Sequence, residues 1–257
     1  MSNSLLFLGT GASLGVPVIG CGCTACSLAS PMNQRMRSSV LVKAGEKQFL
    51  IDAGPDLRMQ ALKFGVKQLD GIILTHTHFD HIGGFDDLRA FYFLKKAPLP
   101  CLLSQETLEE IKVRYHYLFS RDGNSDLLHF QLLPEDFGAI EFEGISWKYL
   151  SYYQAGMKVT GLRFGNCAYV SDIREYTPHV LEMLQDVEIL IVSALRPTPS
   201  HVHFSIDEAI AFGRKVNAKQ IWLTHIAHEI DADAISASLP PDVKLSYDGL
   251  QIEWKNT

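Results

Sequence analysis

Short apolar runs bounded by turn residues recur along the chain, at Leu5–Leu8, Val40–Val42, Phe49–Ile51, Gly71–Leu74, Cys167–Val170, Glu188–Val192, Ile221–Leu223 and Val243–Tyr247. Runs this short and this rich in branched residues predict buried strands. Between them lie stretches with helical spacing of apolar positions, at Asp56–Phe64, Gln105–Leu118, Glu175–Leu184, Ser205–Val216 and Asp233–Leu239. The fourth opens on Ser205 with Glu208 three residues on, which is the pattern of a capped helix start. Strand and helix patterns are mixed to the end of the chain, which suggests an α+β fold with sheets packed face to face and helices outside, a topology that periodicity alone does not specify. No short repeat, low-complexity tract or Gly/Ser/Pro linker divides residues 1–257, which are expected to form one domain with an exposed loop near Ser120–Ser125.

Composition narrows the partners. The chain is 47% hydrophobic and 20% charged, as expected of a globular protein with a sizeable core. Its formal net charge is −6, which opposes binding of a long nucleic acid but leaves room for a small anion held by a few arginines. No apolar run approaches the roughly 20 residues that span a bilayer. Val18-Ile19-Gly20-Cys21 has the form of a lipoprotein cleavage box, but Gly9, Gly11, Gly15 and Pro17 interrupt the apolar stretch it needs, and the expected location is cytoplasmic.

The chemistry concentrates in His76-Thr77-His78-Phe79-Asp80-His81, delivered directly by the strand-like run Gly71–Leu74. Imidazole nitrogen and carboxylate oxygen suit zinc and its neighbours, and a loop this short can put His76 and His78 on one ion while Asp80 and His81 reach a second. The run resembles the signature of the metallo-β-lactamase superfamily. That resemblance implies an αββα sandwich of two mixed sheets with the site along one edge. It also implies two further ligands, Asp172 bridging two metals and His225 completing the second site, and each follows a strand-like run. The superfamily places one more histidine on the first metal, where this chain has Gln154. An amide oxygen is a weaker, harder donor than imidazole, so the expectation is two divalent metals, zinc or manganese, with a weakened first site.

Cys21, Cys23 and Cys26 put three thiols within six residues. In a cytoplasmic setting they point to metal rather than disulfide, and His228 is the candidate fourth ligand of a structural zinc; three reduced thiols in a glycine-rich loop are the alternative. Cys101 and Cys167 sit in apolar runs and carry no such expectation. The Gly9-Thr10-Gly11 start, the thiol triplet, the metal loop and Thr224-His225-Ile226-Ala227-His228 together resemble the PhnP-type phosphodiesterases, from about Leu5 to Trp254. The resemblance implies hydrolysis of a small cyclic or nucleotide-like phosphodiester through a metal-bound hydroxide. Asp80 would orient water, Asp172 would join the metals, and His203 would serve either as general acid to the departing oxygen or as a structural hydrogen-bonder. Arg37, Arg58, Arg89 and above all Arg196 are candidate phosphate holders, with ordinary salt bridging as the default.

Two other readings stand beside this one. The same metals can serve a thioester or lactone hydrolase, since fold does not select the electrophile. A catalytically impaired zinc-containing binding protein is favoured by Gln154, and the thiol triplet also resembles that of the pyrroloquinoline-quinone biosynthesis protein B group. A transfer-RNA nuclease fits an acidic chain less well. Phe91–Leu94 can supply either a helix core, the default, or the surface of a homodimer.

Overall fold

The computed structural model describes residues 2–27, 30–121 and 123–255, so the chain ends and Asp122 of the expected loop lie outside the described residues. The first half supplies β1 (Ser2–Gly9), β2 (Ser39–Ala44), β3 (Lys47–Ile51), β4 (Gly71–Ile73), β5 (Leu99–Leu103) and β6 (Leu128–Leu132). The second supplies β7 (Phe137–Phe142), β8 (Ile145–Gln154), β9 (Met157–Phe164), β10 (Cys167–Val170), β11 (Ile189–Ser193), β12 (Gln220–Thr224), β13 (Val243–Leu245) and β14 (Gln251–Lys255). They form two seven-stranded sheets in the orders β14-β1-β2-β3-β4-β5-β6 and β13-β12-β11-β10-β9-β8-β7. Both are mixed: β1 to β3 pair antiparallel and β3 to β6 parallel, while β7 to β10 pair antiparallel and β10 to β13 parallel.

The helices are α1 (Thr24–Ser27), α2 (Leu57–Phe64), α3 (Phe79–Ile82), α4 (Arg89–Lys95), α5 (Gln105–Arg114), α6 (Pro178–Leu184), α7 (Ile206–Lys215) and α8 (Ala232–Ser236). Side-chain alternation sorts the strands into layers. Ile189 and Ile191 of β11 pack with Phe7, Val42, Phe49 and Trp147 between the sheets, whereas Leu190 and Val192 pack with Val180, Leu184 and Phe212 under α6 and α7. On the other outer face Leu50, Ile72 and Leu103 meet Leu57, Leu108 and Ile111 of α2 and α5. The result is the αββα sandwich, with strands buried on both faces and therefore written as continuous apolar runs.

The predicted helices form with shifted ends. α6 begins at Pro178 rather than Glu175, because Glu175 exchanges backbone hydrogen bonds with Tyr153 at 2.8 and 2.9 Å and proline favours the first helical turn. α5 stops at Arg114 and passes into a 3-10 turn at His116–Leu118. α7 carries the full capping box: Ser205 Oγ accepts from Glu208 N, and Glu208 Oε2 accepts from Ser205 N. The helix-core default for Phe91–Leu94 holds for Phe91 alone; Phe93 and Leu94 of α4 are exposed at 64% and 73%. Among the described residues no helix is long and apolar enough to cross a membrane.

Candidate metal centre

The metal loop is held by direct backbone packing. Ala53 N donates to His81 O at 2.7 Å and Gly84 N donates to Ala53 O at 2.9 Å. A Cβ on Gly54 would stand 2.1 Å from Asp80 O, and one on Gly84 would stand 2.1 Å from Gly54 O. Only glycine permits these approaches, so the segments after β3 and β4 lock together and α3 starts with His78 as its N-cap. Asp172 follows β10 and His225 follows β12, and His203 lies on the loop between β11 and α7. Parallel strands β10 to β12 thus bring three distant parts of the sequence to one edge of the sandwich.

At that edge His81 Nε2 stands 3.1 Å from Asp172 Oδ2 and 3.4 Å from Asp80 Oδ2. His225 Nε2 stands 3.2 Å from Asp80 Oδ2 and 3.3 Å from Asp172 Oδ1, and His76 Nε2 is 3.0 Å from His78 Nδ1. Two donors sharing an ion at about 2.1 Å, at angles from octahedral to tetrahedral, stand roughly 3.0–3.4 Å apart. The spacings match. His81 Nε2 is buried without a hydrogen-bond partner, which is the state of a ligand nitrogen rather than of a packed imidazole.

The electrostatics are those of a site built for positive charge. Burial opposes ionisation of Asp172, but His225 and His81 hold its carboxyl well below the usual range. Asp80 is depressed in the same way, against burial, chiefly by His81 and by its bond from His225. Burial likewise opposes charge on His81, yet Asp172, Asp52 and Asp80 raise it well above an ordinary histidine. His76 is pushed well down by burial and by His81. His203 is pushed down to about 4 by burial and by His225, so it is neutral at physiological pH.

Sequence reading missed Asp52. It is fully buried at the end of β3, where Oδ1 accepts from Thr75 N and Oδ2 accepts from Thr75 Oγ1, both at 2.8 Å, and meets His81 Nδ1 at 2.7 Å. Thr75 Oγ1 in turn lies 2.9 Å from His76 Nδ1. One carboxylate therefore fixes the ring orientation of His81 directly and of His76 through Thr75. A carboxylate ending an apolar strand and followed by Ala53-Gly54 was the signal available. Asp52→Ala is expected to lower metal affinity and turnover by about 10–100-fold with the fold retained, measured by metal titration and circular dichroism.

Gln154 ends β8 inside the cluster, 3% exposed, with Nε2 3.4 Å from Asp172 Oδ1 and 2.8 Å from His203 Nε2, while its Oε1 is buried without a partner. The four arginines are largely occupied elsewhere. Arg37 pairs with Asp56 at 2.9 Å, Arg89 with Asp86 at 2.7 Å and Arg196 with Glu229 at 3.6 Å, and Arg58 approaches Met59 Sδ at 4.0 Å. Salt bridging, the default, accounts for three of them.

A second donor group lies beside the first. Cys21, Cys23 and Cys26 Sγ stand 3.2, 3.5 and 3.7 Å from His228 Nδ1. Sulfur and nitrogen sharing a tetrahedral zinc are roughly 3.6 Å apart. The Cys26 backbone and His228 draw the Cys23 thiol down to about 6, favouring thiolate, whereas burial raises Cys26 to about 11. Ala12 N donates to Ile226 O and Ile226 N to Thr10 O, at 3.0 and 2.9 Å, so the cysteine loop is stitched to the segment carrying His225.

Residues 47–226 match the family model described as a beta-lactamase superfamily domain. A solved structure described as a new diphosphatase from the PhnP family is 34% identical, with a TM-score of 0.92 over 99% of this chain and 98% of that one. The chain belongs to the β-lactamase superfamily, in its PhnP family. Other superfamily folds are more distant: zinc-bound PqqB from Methylobacterium extorquens has a TM-score of 0.80 at 19% identity, over 97% of this chain and 99% of that one. The octanoyltransferase of Porphyromonas gingivalis is 31% identical over 96% of this chain and 50% of its own length, so the chain spans half of that curated relative. Within the superfamily this chain has the metallo-β-lactamase fold in common with that diphosphatase.

Proposed function

We propose that the chain hydrolyses a small phosphodiester or diphosphate, cyclic or nucleotide-like, in a dinuclear metal centre. The observation that carries the proposal is the ring of donor pairs 3.0–3.4 Å apart around Asp172. The likeness to a PhnP-family diphosphatase favours phosphorus over carbon as the reacting atom. His76, His78, Asp172 and the amide oxygen of Gln154 would hold the first ion, and Asp80, His81, Asp172 and His225 would hold the second. Such ions, zinc or manganese, supply Lewis acidity toward phosphate and water. Asp80 orients the attacking water, Asp52 keeps His81 in place, and neutral His203 serves as hydrogen-bond donor to the departing oxygen. Cys21, Cys23, Cys26 and His228 would hold a structural zinc. The partner is thus a small phosphate-containing molecule rather than a long nucleic acid.

The test is metal content per chain on protein purified without added metal, with hydrolysis of bis-p-nitrophenyl phosphate under zinc or manganese. About three metals with turnover is the expected outcome. One zinc and no turnover under either supplement would leave a binding protein that retains only the cysteine site. A carbonyl substrate is the second reading, favoured by the octanoyl-transferring relative; faster cleavage of p-nitrophenyl octanoate than of the phosphodiester would put it first.

A further inference from the structure

The Gly9-Thr10-Gly11 segment supplies no metal donor, yet it lies against the turn that presents His225. Gly11 forms parallel bridges to Arg37 on one side and to Ile226 on the other. A Cβ on Gly9 would stand 2.0 Å from Arg37 O, and one on Gly11 would stand 3.0 Å from both Arg35 O and Met36 O, so the segment fits there because both residues flanking Thr10 are glycine. Thr10 itself is fully buried, and its hydroxyl has two partners. Arg35 Nη1 donates to Thr10 Oγ1 at 2.8 Å, and Thr10 Oγ1 donates to Asp248 Oδ1 at 2.7 Å. A guanidinium only donates and a carboxylate only accepts, so a single atom that joins the two must do both, as a hydroxyl does. The other Asp248 oxygen accepts from Met36 N at 2.7 Å.

Two routes lead from this junction to His225. Thr10 O accepts from N of Ile226, the residue after His225, at 2.9 Å. Arg35 Nη1 also donates to Ser246 O at 2.6 Å, and Ser246 N and Oγ donate to O of Leu223, two residues before His225, at 2.9 and 2.8 Å. His225 holds a left-handed φ of 58°, a conformation that persists only where the surroundings fix it. We infer that Thr10, braced by Arg35 and Asp248, is a positioning residue for His225: the junction grips the turn on both sides and aims the imidazole at the second metal site. The inference rests on the dinuclear reading for the metal that His225 serves, whereas the grip on the turn does not.

The test compares Thr10→Val, which keeps the volume and loses the hydroxyl, with Thr10→Ser, which keeps the hydroxyl. The reference is Phe142→Leu, a core variant of matched melting temperature that leaves the junction intact, since Phe142 pairs with Ile145 at the opposite end of β8 from Gln154. In metal-free protein the Ile226 amide should exchange its hydrogen about 10-fold faster in Thr10→Val than in Phe142→Leu. In cobalt-loaded protein Thr10→Val should bind active-site cobalt about 10–100-fold more weakly and with an altered visible spectrum, while cobalt on the cysteines, told apart by its sulfur charge-transfer band, is retained. Thr10→Ser should restore both. Thr10→Ala, which makes room for water beside Arg35, replaces Thr10→Val if the latter does not fold. Exchange and cobalt binding in Thr10→Val no different from those in Phe142→Leu would overturn the inference and leave Thr10 an ordinary core residue. A wild-type chain that takes up cobalt on its cysteines alone would instead refute the dinuclear reading, and the exchange comparison would still decide whether the junction holds His225.

Discussion

Asp172→Ala is expected to abolish metal retention at the active-site edge and to lower hydrolysis by about 10³-fold or more. Its carboxylate contacts His81, His225, His203 and Gln154, and Ser171 Oγ donates to its second oxygen. Without it three buried imidazoles face one another with no negative charge between them except Asp80 and Asp52. Elemental analysis should find one zinc per chain, that of the cysteine cluster, and turnover should not return on adding zinc or manganese. Full activity in this variant would remove Asp172 from the mechanism altogether.

The second large effect is on stability. Cys23→Ser is expected to release the zinc held with Cys21, Cys26 and His228 and to lower the melting temperature by more than about 10 °C, because folding free energy that depends on the metal is lost with it. Activity should decline more gradually than metal content, as the loop stitched through Ala12 and Ile226 loosens around His225. Calorimetry against a chelator series, with the active-site metals assayed separately, distinguishes this from three thiols of no consequence, for which serine would leave the transition unmoved.

The metal loop and the cysteine cluster were legible because their chemistry is local: donors crowd into a few residues. Asp172, His225 and Gln154 were found only through the resemblance, and the approach of Gln154 to His203 was not legible at all, since it depends on β8 ending beside the loop before α7. Asp52 was overlooked for a related reason, being a lone acid at a strand end until β4 lies parallel to β3. Several strands were missed on equally physical grounds. β5 contains Pro100, which argues against a central strand unless its missing N–H falls where none is needed. β7 is an edge strand whose polar and apolar positions do not alternate cleanly, and β8 is buried from Tyr149 to Tyr152, Ser151 included, where it leaves the alternating pattern of its start. The helices shifted where proline or a cross-strand bridge overrode periodicity.

Asp52, Asp172 and His225 share one further property: all three have left-handed backbone conformations, with φ of 64°, 56° and 58°. Such a conformation costs a residue with a side chain about 1 kcal/mol, which glycine avoids. Asp52 and His225 are the first residues after β3 and β12 and Asp172 is the second after β10, where a sharp turn aims the side chain back across the edge, and each is needed for that side chain. At Asp172 and His225, selection for thermal endurance alone would therefore favour glycine where selection for turnover forbids it, whereas Asp52 also anchors Thr75 through two buried hydrogen bonds that glycine would forfeit. The chain's tolerance for heat and its capacity for chemistry are opposed at the ends of β10 and β12, and lineages that abandoned the chemistry would be free to become the more durable proteins.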